Sequence, residues 1–334
     1  MLRVPYPDLY AALHKAMLVL GLQGDRAALC ARLFAETTRD GVYTHGLNRF
    51  PRFAEMVRNR SIDITAEPTR TTGFGCIERW DGHRGPGNLN AYAAMQRTIK
   101  LAKENGMGAV ALANTNHWMR GGSYGWLAAD HGLFSFCWSN TLPNLPAWGT
   151  AVPTVGNNPL VIAIPRPQGN VVLDMAMSQF SYGTLAAYSK RNEPLPVPGG
   201  FDASGNLTTD AAAIEASQRA LPIGYWKGSG LSLVLDMLAA MLSGGLAAHQ
   251  LPPDPLREAG QSQIFIAIDP TRFSTGEELD HIAEEIITNL HRVRPLDPDR
   301  PLRYPGEHTL CLREENLRLG VPVEAEVWQQ LNAM

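Results

Sequence analysis

The sequence predicts an α/β or α+β core that carries a separate helical layer drawn from both ends of the chain. Three observations carry that prediction. Helical apolar spacing runs from Asp8 to Arg60 and returns from Val323 to Leu331. Short apolar runs of strand character, such as Gly108–Ala113 and Ile264–Asp269, occupy the middle. The 334 residues, 45% hydrophobic and 18% charged, have the make-up of a globular chain long enough for a sizeable core and more than one domain.

Taken in order, Asp8 to Thr38 reads as two helices around a break at Gly21 to Gly24. Leu9, Leu13, Met17 and Leu20 stripe the first, and Leu29, Leu33 and Phe34 the second. Arg49 to Arg60 is a third helix, with Phe53, Met56 and Val57 on its apolar face. Ile62 to Asp81 is broken, β-leaning sequence. Gly87 to Gly106 is a strong helix, striped by Ala91, Met95, Ile99 and Ala102. Gly108–Ala113 suits a buried strand, Ser123 to His131 a helix, and Leu133 to Ser139 another strand. Two more strands follow at Leu160–Ile164 and Val171–Met175. Gln179 to Lys190 is helical, and Pro194 to Gly205 is a Pro/Gly-rich excursion. Ser229 to Leu242 is a strongly apolar helix, Ile264–Asp269 a strand, and Thr275 to Val293 an amphipathic helix. Pro295 to Pro305 carries four prolines and reads as an extended connection. No internal repeat or low-complexity segment interrupts the chain.

Composition excludes several functions. The formal net charge is −3 with no basic run, which gives nucleic acid or a membrane surface no electrostatic hold. Cys30, Cys76, Cys137 and Cys311 are scattered without a CxxC pair, so neither a disulfide framework nor a zinc site is expected, and a reducing cytoplasmic compartment fits. The N-terminus lacks the apolar stretch of a signal peptide. The longest apolar run, Leu231 to Ala248, contains Asp236 and Gly244-Gly245 and reads as a buried core helix rather than a membrane span. No HExxH or similar spacing exists, and His83, His249, His281 and His291 read as isolated surface histidines, so no metal is expected. No GxGxxG follows a strand, and neither a GxSxG elbow nor a Walker A loop is present.

Chemistry concentrates in two histidine stretches. Thr44-His45-Gly46-Leu47-Asn48-Arg49 sets a hydroxyl, an imidazole and a guanidinium within six positions. The imidazole can exchange a proton near neutral pH, and the guanidinium can grip a carboxylate with two parallel hydrogen bonds. The glycine between them allows a turn or a close ligand approach. That set suits a small oxyacid, although a helix-end histidine beside a solvated arginine would look the same. His117-Trp118-Met119-Arg120-Gly121-Gly122 follows a predicted buried strand, and the crevice beyond strand ends is a common ligand site. Its bland reading is a histidine plugging a core end above a tight turn. Gly224-Tyr225-Trp226-Lys227-Gly228 opens a helix whose first amides could face a phosphate, or it is a glycine-rich cap where two helices cross. Asp174 could orient a histidine or bind a ribose hydroxyl, or it caps the helix beginning near Gln179. Arg303 to His308 reads as a turn near the C-terminus, with a surface loop as its plainer reading.

Together these stretches resemble the type-2 malate/L-lactate dehydrogenase family of nicotinamide-dependent 2-hydroxyacid oxidoreductases. The shared residues are Thr44-His45-Gly46-x-x-Arg49, Asn116-His117, Gly121-Gly122, Gly156-Asn157-Asn158-Pro159, Asp174-Met175, Lys227-Gly228 and Pro305-Gly306-Glu307, in the same order across nearly the whole chain. The resemblance implies a mixed-sheet, non-Rossmann nicotinamide-binding α/β core, which accounts for the missing glycine fingerprint. It implies a homodimer with active sites near the subunit boundary. The division expected is a helical domain of residues 1–65 with 295–334, a cofactor core of 66–180 with 218–294, and an excursion at 181–217. By matching position, His45 is the proton donor and His117 a second candidate for that role, while Thr44 and Arg49 bind the substrate. Asn170, Val171, Val172, Leu173, Asp174, Met175, Ala176, Trp226, Lys227, Gly306, Glu307 and His308 would line the site of NAD, with NADP an alternative.

The reaction this implies is reduction of a 2-keto acid: hydride from NADH reaches the ketone carbon, Arg49 holds the neighbouring carboxylate, and His45 protonates the oxygen. Within the same family, malate, lactate, ureidoglycolate or a cyclic imine carboxylate are rival substrates. From another class, Lys227 could form a Schiff base in a 2-keto-acid lyase. A helical interaction protein without catalysis is the third reading.

Overall fold

The computed structural model describes residues 2–334. The chain opens with β1 (Leu2–Val4), α1 (Tyr6–Val19) and α2 (Gly24–Arg39). Pro7 sits in the first turn of α1, where its missing N–H costs nothing, and the left-handed Gly21 and Gly24 break the helices apart. Two 3-10 turns, Tyr43–His45 and Leu47–Arg49, lead into α3 (Phe50–Arg58). Then come β2 (Thr69–Phe74), β3 (Ile77–Asp81), α4 (Gly87–Asn105), β4 (Met107–Asn116), α5 (Gly122–Asp130) and β5 (Phe134–Ser139). The short β6 (Leu145–Pro146) and β7 (Pro153–Val155) pair with each other before β8 (Leu160–Ile164) and β9 (Val171–Met175). The excursion holds α6 (Tyr182–Arg191), a hairpin of β10 (Gly200–Phe201) and β11 (Leu207–Thr208), and α7 (Ala211–Ser217). The chain ends with α8 (Trp226–Ser243), β12 (Ala259–Ile268), α9 (Gly276–Arg292), α10 (Glu307–Leu319), β13 (Val321–Val323) and α11 (Ala325–Asn332).

Seven strands form the central sheet in the order β2-β3-β4-β12-β5-β8-β9. β3 and β4 run parallel, joined through α4, and every other pair is antiparallel, so the sheet is mixed. The strand period of two sorts its side chains. Val110, Leu112 and Phe265 pack under α4 and α5, while Ala111, Trp138 and Ile264 pack under α8. A separate cluster joins α1, α2 and α3 to the C-terminal β13 and α11, and β1 pairs with β13 across the two chain ends. Among the described residues, no helix is long and apolar enough to cross a membrane.

Three readings need correction. Residues 303–308 are not a plain surface loop: Pro305 accepts a hydrogen bond from Val172 N at 2.8 Å, and Glu307 begins a 13-residue helix, α10. The apolar run from Leu231 is not wholly buried. Gly228, Ser232, Leu235, Ala239 and Ser243 face the core, whereas Leu233, Val234, Met237 and Met241 are exposed. His291 is not isolated, since its Nε2 lies 3.1 Å from Glu307 Oε2, and His83 and His281 likewise sit beside Asp81 and Glu285.

Candidate active site

The turn carrying His45 is fixed by the end of α2. Thr38 Oγ1 donates to Phe34 O at 2.7 Å and accepts from Leu47 N at 2.8 Å. A Cβ on Gly46 would lie 2.8 Å from Thr38 N. Glycine is needed here for contact with α2, rather than for a left-handed turn or a ligand. His45 therefore leaves the 3-10 turn in one direction, with Thr44 Oγ1 3.0 Å from its Nδ1.

His117 stands just past the end of β4. Asn116 Nδ2 donates to Arg84 O and Gly85 O, and a Cβ on Gly87 would collide with the carbonyls of Asn116 and His117, so α4 seats directly on this backbone. Met119 N donates to His117 Nδ1 at 3.0 Å. The neutral ring then carries its hydrogen on Nε2, the nitrogen left free to donate. The His45 and His117 rings stack with centroids 5.7 Å apart.

Two cavities meet at this pair. One, of about 310 Å³, contains Thr44, Arg49, Arg52, Asn144 and Glu258. The other, of about 520 Å³, contains Arg120, Asp174, Ala176 and Tyr188. Thr44, His45, His117, Thr141, Asn157, Ser181 and Gly183 line both. In the first, the Arg49 guanidinium makes no hydrogen bond among the described residues, and its ion-pair partner is Glu258 at 3.6 Å. Burial, then Arg52, lowers Arg49 to about 10, partly offset by Glu258, so it stays a cation at neutral pH. Burial, then the charges of Arg49 and Arg120, pushes His45 down to about 4. His117 is held well below the ordinary histidine value by burial, then by Arg49. Both rings are thus neutral near pH 7 in the chain alone.

The expected cofactor residues spread along β9, an edge strand of the sheet. Asp174 and Ala176 line the second cavity. Asp174 Oδ2 accepts from Gly122 N at 2.7 Å, so the carboxylate caps α5 instead of the helix after Gln179. Desolvation by the cavity wall raises its carboxyl, opposed by Arg120 and the Gly122 amide, while the side chain stays open to solvent. Gly306 packs beside Asn170 O and Val172 N at the strand's start, and Glu307 Oε2 accepts from Tyr304 N at 3.0 Å. His308 is exposed. Beyond the strand's other end, Ile223 N donates to Met177 O at 2.8 Å, which brings Trp226 and Lys227 nearby. Trp226 is 65% exposed, and neither it nor Lys227 lines the two cavities. β9 spans about 16 Å at the usual rise per residue. Arg120, 6% exposed, lines the second cavity, and its covered Nε, near Asp174, has no partner among the described residues.

Sequence reasoning missed Arg52, Asn144, Ser181, Tyr182, Gln218 and Glu258, all in the first cavity. Pro51-Arg52 directly follows the Arg49 stretch, so Arg52 was within reach of that motif. Glu258 carried no local signal, because its arginine partners lie about two hundred positions away. Among the described residues, no three metal-ligating side chains come together.

A family model described as malate/L-lactate dehydrogenase matches residues 4–332. The 2,3-diketo-L-gulonate reductase of Shigella boydii is 44% identical over 333 residues, covering 100% of both chains. The malate dehydrogenase of Pyrococcus horikoshii superposes with a TM-score of 0.90 at 26% identity, covering 99% of this chain and 94% of that one. The sulfolactate dehydrogenase of Methanocaldococcus jannaschii does so with a TM-score of 0.91 at 25% identity, covering 99% of this chain and 95% of that one.

Proposed function

The chain belongs to the malate/L-lactate dehydrogenase family, and from that premise we propose that it is an NADH-dependent reductase of 2-keto acids of the 2,3-diketo-L-gulonate kind. The observation that carries the reading is the Arg49 guanidinium, a largely covered cation with no hydrogen bond among the described residues, in a cavity that opens on two neutral imidazoles. Such a group is matched by a ligand carboxylate, which can take two parallel hydrogen bonds from it.

A bound dihydronicotinamide supplies the hydride. The second cavity fits that group, with Arg120 and the Asp174 carboxylate in its lining, a buried Arg120 donor left unpaired among the described residues, and the histidine pair where it joins the first cavity. On the substrate side, Arg49 fixes the carboxylate and so places the adjacent ketone at the histidines. His117 Nε2–H donates a hydrogen bond to the ketone oxygen while uncharged. His45 delivers the proton as charge grows on that oxygen. A carboxylate seated on Arg49 offsets a cation that now holds His45 down, so substrate binding draws in the proton that the reaction consumes. Lys227, at the start of α8 and outside both cavities, is poorly placed to form a Schiff base there.

The test is the loss of NADH absorbance with 2,3-diketogulonate, pyruvate or oxaloacetate, for wild type and Arg49→Lys. The variant is expected to raise KM about tenfold or more, because a point charge cannot replace the bidentate fork. An unchanged KM would show that Arg49 does not hold the carboxylate, and no oxidation with any keto acid would sink the function.

The same reading includes a homodimer. Leu233, Val234, Met237 and Met241 give α8 an exposed apolar face that water would not leave uncovered. Sedimentation is expected to give twice the 36.5 kDa chain mass, and a monomer at micromolar concentration would refute it.

A further inference from the structure

The substrate cavity holds two guanidinium groups, and among the described residues only Arg52 is hydrogen-bonded, while Arg49 has a looser ion pair. Arg52 Nε donates to Pro255 O at 3.0 Å, Nη2 donates to the same carbonyl, and Nη2 lies 3.3 Å from Glu258 Oε2. Glu258 is 3% exposed, and its Oε1 accepts from Gln261 Nε2 at 2.6 Å. Its Oε2 faces both arginines, at 3.3 Å from Arg52 and 3.6 Å from Arg49.

We propose that Glu258 makes this cavity selective for keto acids with a single carboxylate, by occupying Arg52 and repelling a second anionic group. The proposal rests on the keto-acid reading above and names the substrate class within it. Two guanidinium charges and one buried carboxylate leave one net positive charge, which a monoanion neutralises. A dicarboxylate would bring its second charge to the Arg52 end and meet Glu258 there. Like charges a few ångströms apart in a largely desolvated site repel strongly. Neutral polar groups also line this cavity. Asn144 Nδ2 makes no hydrogen bond among the described residues, and Gln218 is a second neutral amide in the lining. They match hydroxyl groups, which both donate and accept. A polyhydroxylated tail fits where a second carboxylate does not.

The experiment is calorimetric binding of glycerate, a hydroxylated monoanion, and tartronate, a dicarboxylate of similar size. NADH is kept saturating so that neither acid can be oxidised. Wild type is expected to bind glycerate about tenfold or more tightly than tartronate. Glu258→Gln, which keeps the shape and the acceptor for Gln261, is expected to narrow that ratio about tenfold by removing the repelling charge and releasing Arg52. Equal wild-type affinities, or a ratio untouched in the variant, would overturn the proposal. If Glu258→Gln does not fold, the wild-type ratio alone decides. Selectivity is read here without turnover, so a failed reduction assay would overturn the function and leave this ratio standing. Binding of neither acid would overturn both.

Discussion

Replacing His45 by glutamine is expected to lower kcat for keto-acid reduction by about 10²–10⁴, the usual worth of a placed general acid. NADH affinity, read by fluorescence titration, should change little, because His45 stands where the two cavities join and not along β9. The expectation rests on geometry first. His45 leaves a turn that Thr38 and Gly46 hold rigid, and it stacks 5.7 Å from His117. His117→Gln tests the division of labour: the backbone bond from Met119 N keeps the His117 proton on Nε2, so its loss should weaken polarisation of the ketone while leaving a proton source. The pH dependence gives a separate check. His45 is lowered to about 4 in the chain alone, so its protonated form is scarce at neutral pH, and kcat/KM for reduction should fall as pH rises above that value. With a carboxylate on Arg49 the histidine pKa rises, so kcat should hold to higher pH before it falls. Oxidation of the hydroxy acid should run the other way. Near-full turnover in His45→Gln, or identical pH profiles for kcat and kcat/KM, would remove His45 from the donor role.

The parts of this arrangement that were legible in the sequence are those with a local signature. The apolar runs of β4, β5, β8 and β9 and the periodic helices α1 to α5 announce themselves, because each buries a hydrophobic face. The two histidines and Arg49 were visible as chemistry. What was hidden depends on distant partners or on polar burial. α10 escaped because its fully buried residue is polar: Asn316 donates to Arg39 O, and Arg313 reaches Asp40, so the partly buried Leu310 does not extend into an apolar stripe. The first half of β12 escaped for the same reason, since Gln261, Ser262 and Gln263 are buried polar residues whose side-chain donors reach Glu258, Leu246 O and Asn116 O. α8 was readable as apolar all round, but a sequence does not say which apolar face the chain itself covers. Gly46 was readable as a required glycine, though not for contact with α2.

Asp40 is the extreme case, and its substitution should have the largest effect on stability. Asp40→Asn is expected to cost about 3–5 kcal/mol, measured as a lowered urea midpoint, as for breaking a buried ion pair. Nothing near Asp40 in sequence foretells this. Its carboxylate, 3% exposed, accepts from Arg39 Nε at 2.8 Å, Arg120 Nη1 at 2.7 Å, and Arg313 Nε and Nη2 at 2.9 and 2.8 Å. These residues come from the end of α2, the loop before α5 and the middle of α10, so one carboxylate ties the helical layer to the sheet domain. Without it, Arg120 keeps its charge in a buried place with no counter-ion but the more distant Asp174. Exposed pairs offer the contrast: Arg3→Gln, which breaks the bridge from Arg3 to Glu315 at the surface, should cost under about 1 kcal/mol. Acid titration supplies the second readout. Burial alone would raise the Asp40 carboxyl, but the Arg313 hydrogen bond and the charges of Arg120 and Arg39 outweigh it and hold it below the usual range. A depressed folded value gives stability that is present above the unfolded value near 3.9 and lost as pH falls toward the folded one. Wild type should therefore lose more stability than Asp40→Asn when pH is lowered below about 4. Equal urea midpoints at neutral pH, or parallel acid transitions, would mean that the three arginines are held by the fold around them and not by this carboxylate.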